Sequence, residues 1–419
     1  MNSDSSRRDF LYAGLALPVA GLASGAGFGK ATVESPSPPS LASTPKLTYR
    51  TIGKTGLKVT AVGFGCMVTS DASVIERASD IGINYFDTAR GYQHGNNERM
   101  VGAALKKKRK DLVLSSKSGA RTKDALLNDL DTSLRELGTD FLDIWYLHGR
   151  DKTSDVSDEL FEAQQTAKEQ GKIRFAGLST HNAKDMIPFL VKKGVLDVVL
   201  TTYNFTMNEN MDALIEQAHN AGIGVVAMKV MAGGFRRSWQ PPPPPPPGSG
   251  AGRPPLPPPP APPAQLKRQG AMLAALKWVL RNPKVDATIP SMTDMDQLEE
   301  NLKAMAEPYT QVEEKLLAQQ LEQIGPLYCR MCGHCEGTCG KGLPVADMLR
   351  YLTYAEGYGQ FSLGREHFVA LPAEVTSVRC QDCASCTVTC PFGVKVASRL
   401  ARAQELFAGD PWCAFLHHC

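Results

Sequence analysis

The sequence predicts an α/β protein built on a (β/α)₈ barrel, followed by a small cysteine-rich domain. From residue 48 to about residue 306, short apolar runs alternate with amphipathic segments, and about eight strand–helix units fit in this length. Ten of the 11 cysteines lie after residue 328, which sets that part of the chain apart. An open doubly wound sheet is the alternative, but no G-x-G-x-x-G follows the first strand.

These patterns divide the chain into a signal segment (1–30), a linker (31–47), the barrel (48–325) and a C-terminal domain (326–419). A hairpin is predicted to turn at Lys54–Gly56, and the first barrel strand to end at Gly65. The other predicted strands are 83–86, 112–116, 142–147, 173–178, 195–201, 225–230 and 287–289. The predicted helices are 73–80, 98–107, 122–137, 158–170, 183–193, 211–221, 266–281 and 295–306.

Polar side chains stand at the ends of three consecutive predicted strands. Asp87 and Tyr92 follow the second, Lys117 the third and His148 the fourth. In a barrel the carboxyl ends of the strands meet at one mouth, where catalytic residues lie. Any one of these residues alone is more often structural, but the four on adjacent strands indicate an active site.

Together these four groups are suited to protonating a carbonyl. Tyr92 is a weak acid at neutral pH, so a nearby Lys117 cation is expected to lower its pKa, with Asp87 holding the lysine. His148 would orient the carbonyl oxygen. Since side chains cannot donate hydride, the chemistry requires a nicotinamide cofactor.

The motifs FDTARGY, LSSK and YLH resemble, in order and spacing, the Asp–Tyr–Lys–His tetrad of the aldo/keto reductases. The resemblance covers residues 48 to about 306. It implies a general acid/base role for Tyr92, tuning by Lys117 and Asp87, and substrate positioning by His148. It also implies reduction of a carbonyl compound, such as an aldehyde, ketone or sugar, or oxidation of the alcohol.

The same resemblance implies cofactor-binding residues. In GLSTHN, Ser179, Thr180 and Asn182 are expected at the nicotinamide carboxamide. In IPSMTDMDQLEEN, Glu300 and Asn301 are expected at the adenine. The basic residues that often hold the 2′-phosphate of NADP are replaced by Ser291 and Gln297, and Lys229, Arg236 or Arg237 are the candidate substitutes. NADP and NAD therefore both stay open. Two further departures are Leu200, where glutamine is common, and Met228, where an aromatic residue stacks on the nicotinamide.

The eight clustered cysteines repeat one spacing. Each repeat reads C-x₂-C-x₂-C-x₃-C, which is the bacterial ferredoxin pattern, and it predicts one or two [4Fe–4S] clusters in a ferredoxin-like domain. Because the fourth cysteine of each repeat serves the other cluster, the predicted ligand sets are Cys329, Cys332, Cys335, Cys390 and Cys380, Cys383, Cys386, Cys339. Zinc and a disulfide framework are the alternatives. The clusters are expected to be structural, to sense redox state or to exchange electrons with a redox partner.

Two further segments bear on function. Arg7 and Arg8 precede a mildly apolar run, which resembles a twin-arginine export signal and predicts a periplasmic or exported protein. Residues 241–263 are almost all Pro, Gly and Ala and interrupt the loop after the seventh barrel strand. This insert is expected to be a tolerated surface insertion, and a modified lid or a polyproline docking site are the functional alternatives.

Net charge of +3 over 419 residues excludes a strongly basic nucleic-acid-binding protein. The N-terminal apolar run is too broken by Pro18 and glycines to insert stably in a membrane. The expected partner is a small carbonyl or alcohol. The rival functions are an iron–sulfur electron-transfer protein that uses the barrel as a docking scaffold, and a non-catalytic accessory protein.

Overall fold

The computed structural model describes residues 46–207, 209–234 and 270–408. The predicted signal segment, nearly all of the linker, the proline-rich insert, Arg236, Arg237 and residues 409–419 lie outside these ranges. The predictions made for them stay predictions.

Eight parallel strands form one sheet in chain order. They are β3 (Phe64–Gly65), β4 (Tyr85–Asp87), β5 (Val113–Ser118), β6 (Leu142–Leu147), β7 (Ile173–Thr180), β8 (Val198–Thr202), β9 (Gly224–Met228) and β10 (Ala287–Thr288). Parallel bridges pair Val62 with Thr288 and Gly65 with Ser291, and so join the first strand region to the last. A Cβ on Gly65 would stand 2.4 Å from the Ile289 carbonyl oxygen, so this approach requires glycine. The predicted (β/α)₈ barrel is confirmed.

Within the described ranges, eight helices follow these strands around the barrel. They are α1 (Ala72–Ile81), α2 (Asn96–Leu105), α3 (Lys123–Leu137), α4 (Asp158–Glu169), α5 (Ala183–Lys193), α6 (Glu209–Asn220), α7 (Ala271–Leu280) and α8 (Met295–Ala306). Helix α3 shows why the sequence folds this way. The Thr122 hydroxyl accepts from the Ala125 amide at its start, Gly138 takes the left-handed conformation after its end, and a stripe that includes Leu126 and Leu130 is buried.

The barrel interior is packed with side chains. Tyr85, Ile144, Tyr146, Val198 and Val226 belong to the buried cluster inside the sheet, and the Tyr85 and Tyr146 hydroxyls lie 3.0 Å apart. The hairpin of β1 (Tyr49–Thr51) and β2 (Lys58–Thr60) lies at the amino ends of the strands, where the Gly53 amide donates to Asp286 beside β9 and β10. The carboxyl ends are therefore left for the site.

The C-terminal residues form a second apolar cluster. After α9 (Gln311–Ile324), which was not predicted, come α10 (Val345–Glu356), α11 (Phe361–Val369), α12 (Ala373–Thr376) and α13 (Val396–Phe407). Met348, Leu352, Phe368, Leu400 and Phe407 form the centre of this cluster. The described part of this region, residues 326–408, contains helices and turns but no strand, so the ferredoxin-like fold stays a prediction.

This region packs directly on the barrel. Lys152 pairs with Glu336 at 2.8 Å, His94 lies 3.3 Å from Glu366, and the Asn204 amide donates to the Tyr328 hydroxyl at 3.2 Å. The described residues form one compact unit, and the predicted domain boundary near residue 325 stays a prediction.

Most predicted elements match within three residues, and β4 and β7 extend further toward the mouth than predicted, to Asp87 and Thr180. No helix within the described ranges combines the length and apolar character that crossing a bilayer requires.

Candidate active site

A buried ion pair lies at the carboxyl ends of β4 and β5. The Lys117 ammonium donates to Asp87 Oδ2 at 2.5 Å and to the Thr88 carbonyl at 2.7 Å. Ser115 donates to the other carboxylate oxygen of Asp87 at 2.6 Å. Both charged side chains are only 2% exposed, so their attraction is poorly screened by water. The lysine is therefore held in one position.

Tyr92 is placed beside this pair by a tight turn after β4. The turn spans Tyr92–Gly95, and Gln93 and His94 adopt φ of 49° and 54° within it. The Gln93 side-chain amide donates to the Thr69 carbonyl at 2.8 Å, which ties the turn to the loop after β3. Lys117 Nζ then lies 3.3 Å from the Tyr92 hydroxyl.

His148 completes the group at the end of β6. Its backbone amide donates to the Ser118 carbonyl at 2.8 Å, and its ring packs edge-on against Tyr92 with centroids 5.7 Å apart. Burial, helped by the Lys117 charge, lowers the pKa of His148 well below its usual range. The ring is therefore neutral and can donate one hydrogen bond to a carbonyl oxygen.

The electrostatics of Tyr92 differ in part from the sequence-based expectation. Burial raises the pKa of the Tyr92 hydroxyl to about 12, and the Lys117 charge lowers it from what burial alone would give. The pKa of Lys117 is pulled down by burial but is raised above its usual value by Asp87 and Tyr92. Lys117 therefore lowers the pKa of Tyr92 as expected, but burial outweighs this effect and Tyr92 keeps its proton at neutral pH.

Asp87 and Tyr92 lie on the wall of a cavity of about 480 Å³. The barrel lines it with Gly65, Met67, Val68, Leu200, Met228, Lys229, Val230, Gly233, Gly234, Ile289, Pro290, Ser291, Thr293, Asp294 and Gln297. The C-terminal region adds Gly357, Tyr358, Gly359 and Gln360. These last four residues were not expected at the site, because nothing in their local sequence predicts contact with the barrel.

Ser179, Thr180 and Asn182 lie at the end of β7, but none of them lines this cavity. The Ser179 hydroxyl accepts from the Gly149 amide at 2.8 Å. The Thr180 hydroxyl donates to Asp151 at 3.2 Å, and the Asn182 amide donates to the Asp151 carbonyl at 3.0 Å. Their side chains are engaged in bonds that shape the mouth.

Lys229, Ser291 and Gln297 do line the cavity. Gln297 folds back onto the start of α8, where its side chain donates to Thr293 at 2.8 Å. Asp294 caps the same helix end through the Gln297 amide. Among the described residues on the cavity wall, Lys229 is the basic one.

Glu300 and Asn301 lie on α8 outside the cavity wall. Asn301 is fully buried, and neither its side-chain nitrogen nor its oxygen has a hydrogen-bond partner in the described residues. Burying a side-chain amide without hydrogen-bond partners costs free energy. The Asn301 amide is therefore suited to bind a ligand edge that both donates and accepts hydrogen bonds.

The cysteines fall into the two predicted groups. Cys329, Cys332, Cys335 and Cys390 line one small cavity beside α10 and Pro391. Cys380 lies close enough to Cys339, Cys383 and Cys386 to interact with them electrostatically. Neither these eight cysteines nor the buried Cys66 form a disulfide in the part of the chain that the structure describes. Within the described ranges, however, no three His, Cys, Asp or Glu side chains converge tightly enough to form a ready metal site.

Two polar groups near the mouth were not predicted from the sequence. Arg350 of α10 pairs with Asp347 at 2.7 Å and lies 3.4 Å from the His181 ring, which Asp151 holds at 3.1 Å.

Glu98, expected only to start a helix, is in the first turn of α2 but is fully buried, paired with Arg90 and bonded to Ser116 at 2.6 Å. A carboxylate in an otherwise apolar helix face was the one available signal.

The chain is similar to known proteins. The model of the "Aldo/keto reductase family" matches residues 69–321. The chain is 29% identical over 289 residues to L-galactose dehydrogenase of Arabidopsis thaliana, covering 62% of this chain and 89% of that protein. It is 26% identical over 306 residues to L-glyceraldehyde 3-phosphate reductase of Escherichia coli K12, covering 62% and 88%.

Among solved structures, aldo-keto reductase AKR11C1 from Bacillus halodurans superposes with a TM-score of 0.52 at 26% identity. That match covers 66% of this chain and 96% of the other. The family match ends at residue 321, before the first clustered cysteine.

Proposed function

The chain belongs to the aldo/keto reductase family and is an oxidoreductase, and on that premise we propose that it interconverts a carbonyl compound and its alcohol with Tyr92 as the proton donor and acceptor. One observation carries the proposal. Lys117 Nζ contacts both Asp87 and the Tyr92 hydroxyl, and Tyr92 faces a cavity large enough for a small substrate. The two similar proteins named for sugar-type substrates support an aldehyde, ketone or sugar.

The residues fit these roles in order. Lys117 stabilises the negative charge that grows on Tyr92 Oη as its proton leaves, and Asp87 fixes the lysine and balances its charge. His148, neutral and beside Tyr92, is placed to donate to the same carbonyl oxygen. The C-terminal wall limits the access of water to this point.

A nicotinamide cofactor, NADP or NAD, would supply hydride when bound. The unpartnered Asn301 amide fits the adenine end. Ser291 and Gln297 stand on the cavity wall where basic residues often hold the 2′-phosphate of NADP, and NADP and NAD both remain candidates. Ser179, Thr180 and Asn182 would reach the carboxamide only by exchanging present hydrogen bonds.

We test this function by steady-state reduction of an aldehyde and sugar panel with NADH and with NADPH. Tyr92→Phe and Lys117→Met should each lower kcat/KM by about 10²–10⁴-fold, because each removes part of the proton-transfer group. Tyr49→Phe, which changes a half-exposed tyrosine on β1, is the control. Wild-type turnover in Tyr92→Phe would remove Tyr92 from this role.

We further propose that the clustered cysteines hold one or two [4Fe–4S] clusters. The fit rests on the donor set: four cysteines from both repeats line a single apolar cavity, and the other three lie around Cys380. Iron and acid-labile sulfide analysis of protein purified without air is the test. Stoichiometric zinc, or neither iron nor sulfide, would contradict the assignment.

The twin arginines support export, so we propose a periplasmic or exported enzyme whose cofactor is bound before transport. Changing Arg7 and Arg8 to lysine should retain the protein in the cytoplasmic fraction. Exported protein that carries no nicotinamide would contradict retention of the cofactor. The alternative, an electron-transfer protein with the barrel as scaffold, is not favoured by the family match or by the assembled tetrad.

A further inference from the structure

The C-terminal region is built into the catalytic cavity rather than tethered beside it. A Cβ on Gly357 would stand 2.3 Å from the Gly233 carbonyl oxygen, and one on Gly234 would stand 3.5 Å from the Tyr358 ring. The turn after α10 therefore packs backbone to backbone against the loop after β9. Both segments line the cavity that contains Tyr92.

Lys229 points from the loop after β9 toward this contact. Its backbone has φ of 57°, a left-handed conformation that lysine rarely adopts and that packing must hold in place. Its ammonium lies 4.8 Å from the centroid of the Tyr354 ring and 5.3 Å from that of Tyr358. Two aromatic faces supplied by the C-terminal region thus hold a cation at the cavity wall.

Lys229 differs from the other cations at the mouth in its charge balance. Lys117 is neutralised by Asp87, and Arg350 by Asp347. Burial, together with the charges of Arg350 and Lys117, lowers the pKa of Lys229, and no carboxylate in the described residues forms an ion pair with it. A cation so placed, beside two others, favours a bound anion.

The site also lies near the reacting groups. Tyr92 and Lys229 line the same cavity, whose volume is about 480 Å³. An anion at Lys229 and a carbonyl at Tyr92 can therefore belong to one small molecule.

We propose that Lys229 and the Tyr358 hydroxyl form a subsite for an anionic group, a carboxylate or phosphate, on the carbonyl substrate. This rests on the proposed function, because it places the carbonyl of the same molecule at Tyr92. The C-terminal region is then a determinant of substrate choice.

The kinetic test compares two aldehydes of equal chain length, succinic semialdehyde and butanal. Wild-type kcat/KM should favour the anionic aldehyde at least about tenfold, and Lys229→Met should remove that preference while butanal turnover stays within about twofold. Lys229→Arg should keep part of it, and Tyr358→Phe should reduce it about threefold to tenfold. Lys193→Met removes an exposed lysine outside the cavity and should change nothing.

A binding measurement separates this subsite from the proposed reaction. In calorimetry with wild type, succinate should bind at least about tenfold more tightly than neutral succinamide. In Lys229→Met the two ligands should bind with equal affinity. If neither aldehyde turns over but this difference holds, the reaction fails and the subsite stands. The subsite would be overturned if wild type bound succinate and succinamide with equal affinity. It would also be overturned if Lys229→Met kept the aldehyde preference, or if that substitution weakened only nicotinamide binding.

Discussion

Lys117 is the residue on which the proposed chemistry depends, because its ammonium contacts both the Asp87 carboxylate and the Tyr92 hydroxyl. The lysine needs this carboxylate to remain charged in a buried position. Tyr92 needs the lysine, since burial alone would make proton loss harder still. The three residues therefore act as one unit.

The pH dependence follows from the raised pKa of Tyr92, about 12. Below that pH the hydroxyl is protonated, so carbonyl reduction should be flat between about pH 6 and 9. Alcohol oxidation needs the phenolate and should rise about tenfold per pH unit in the same window. Lys117→Met should depress oxidation further, because the pKa then rises. Reduction that falls steadily with pH in this window would be inconsistent with such a group.

Glu98 offers a prediction for stability. It is fully buried and pairs with Arg90, whose side chain is 17% exposed, so removing Glu98 leaves a largely buried guanidinium without its carboxylate. Glu98→Ala should lower the free energy of unfolding by roughly 3 kcal/mol in urea denaturation. The exposed Glu76→Ala should change it by less than about 0.5 kcal/mol. Equal effects of the two substitutions would show that the Glu98 pair contributes little.

Single residues of the site were predictable to the extent that they follow strands. Asp87, Lys117 and His148 each come directly after an apolar run, so topology alone brings them together. The bonds of Thr180 and Asn182 to Asp151 were not predictable, because they depend on how two loops cross. The balance of burial and charge at Tyr92 likewise requires the assembled structure.

Among the elements, α10 connects the two chemistries of the molecule. Ala346 and Leu349 near its start line the cysteine cavity, and Arg350 and Tyr354 further along face the mouth of the barrel. The strands and most helices of the barrel could be predicted from periodicity. The docking of α10 could not, because its apolar pattern marks a buried face without saying what covers it.

Gly357, just after α10, tests this docking. Gly357→Val should lower the free energy of unfolding by about 1–3 kcal/mol and weaken the preference for succinic semialdehyde, because a side chain there meets the Gly233 carbonyl. Gly340→Val, at a C-terminal glycine with open space around its Cβ, is the matched control. Thermal unfolding and the aldehyde pair measure both effects. A Gly357 variant that behaves like the control would show that the contact is loose.

At the scale of the whole molecule, the barrel and the cysteine-bearing region share one compact unit. The barrel follows from local alternation of strands and helices. Contacts such as Asn204 with Tyr328 join residues far apart in sequence and have no periodic signature, so the packing of the C-terminal region on the barrel could not be predicted from the sequence.

Because α10 lines the cysteine cavity, a change at that cavity should reach the active site. Cys390→Ser should speed hydrogen exchange at the amides of residues 345–360, while those of β6 keep their protection. Ser398→Ala on the exposed face of α13 is the control. Unchanged exchange at residues 345–360 would mean that the cysteine cavity and the mouth are independent.

The central claim is that Tyr92 transfers the proton during nicotinamide-dependent carbonyl reduction. The direct measurement is single-turnover oxidation of enzyme-bound reduced nicotinamide by an aldehyde, in wild type and in Tyr92→Phe, with cofactor affinity measured for both. We predict equal affinity and a rate at least about 10²-fold lower in Tyr92→Phe. Equal rates in the two proteins would contradict the account.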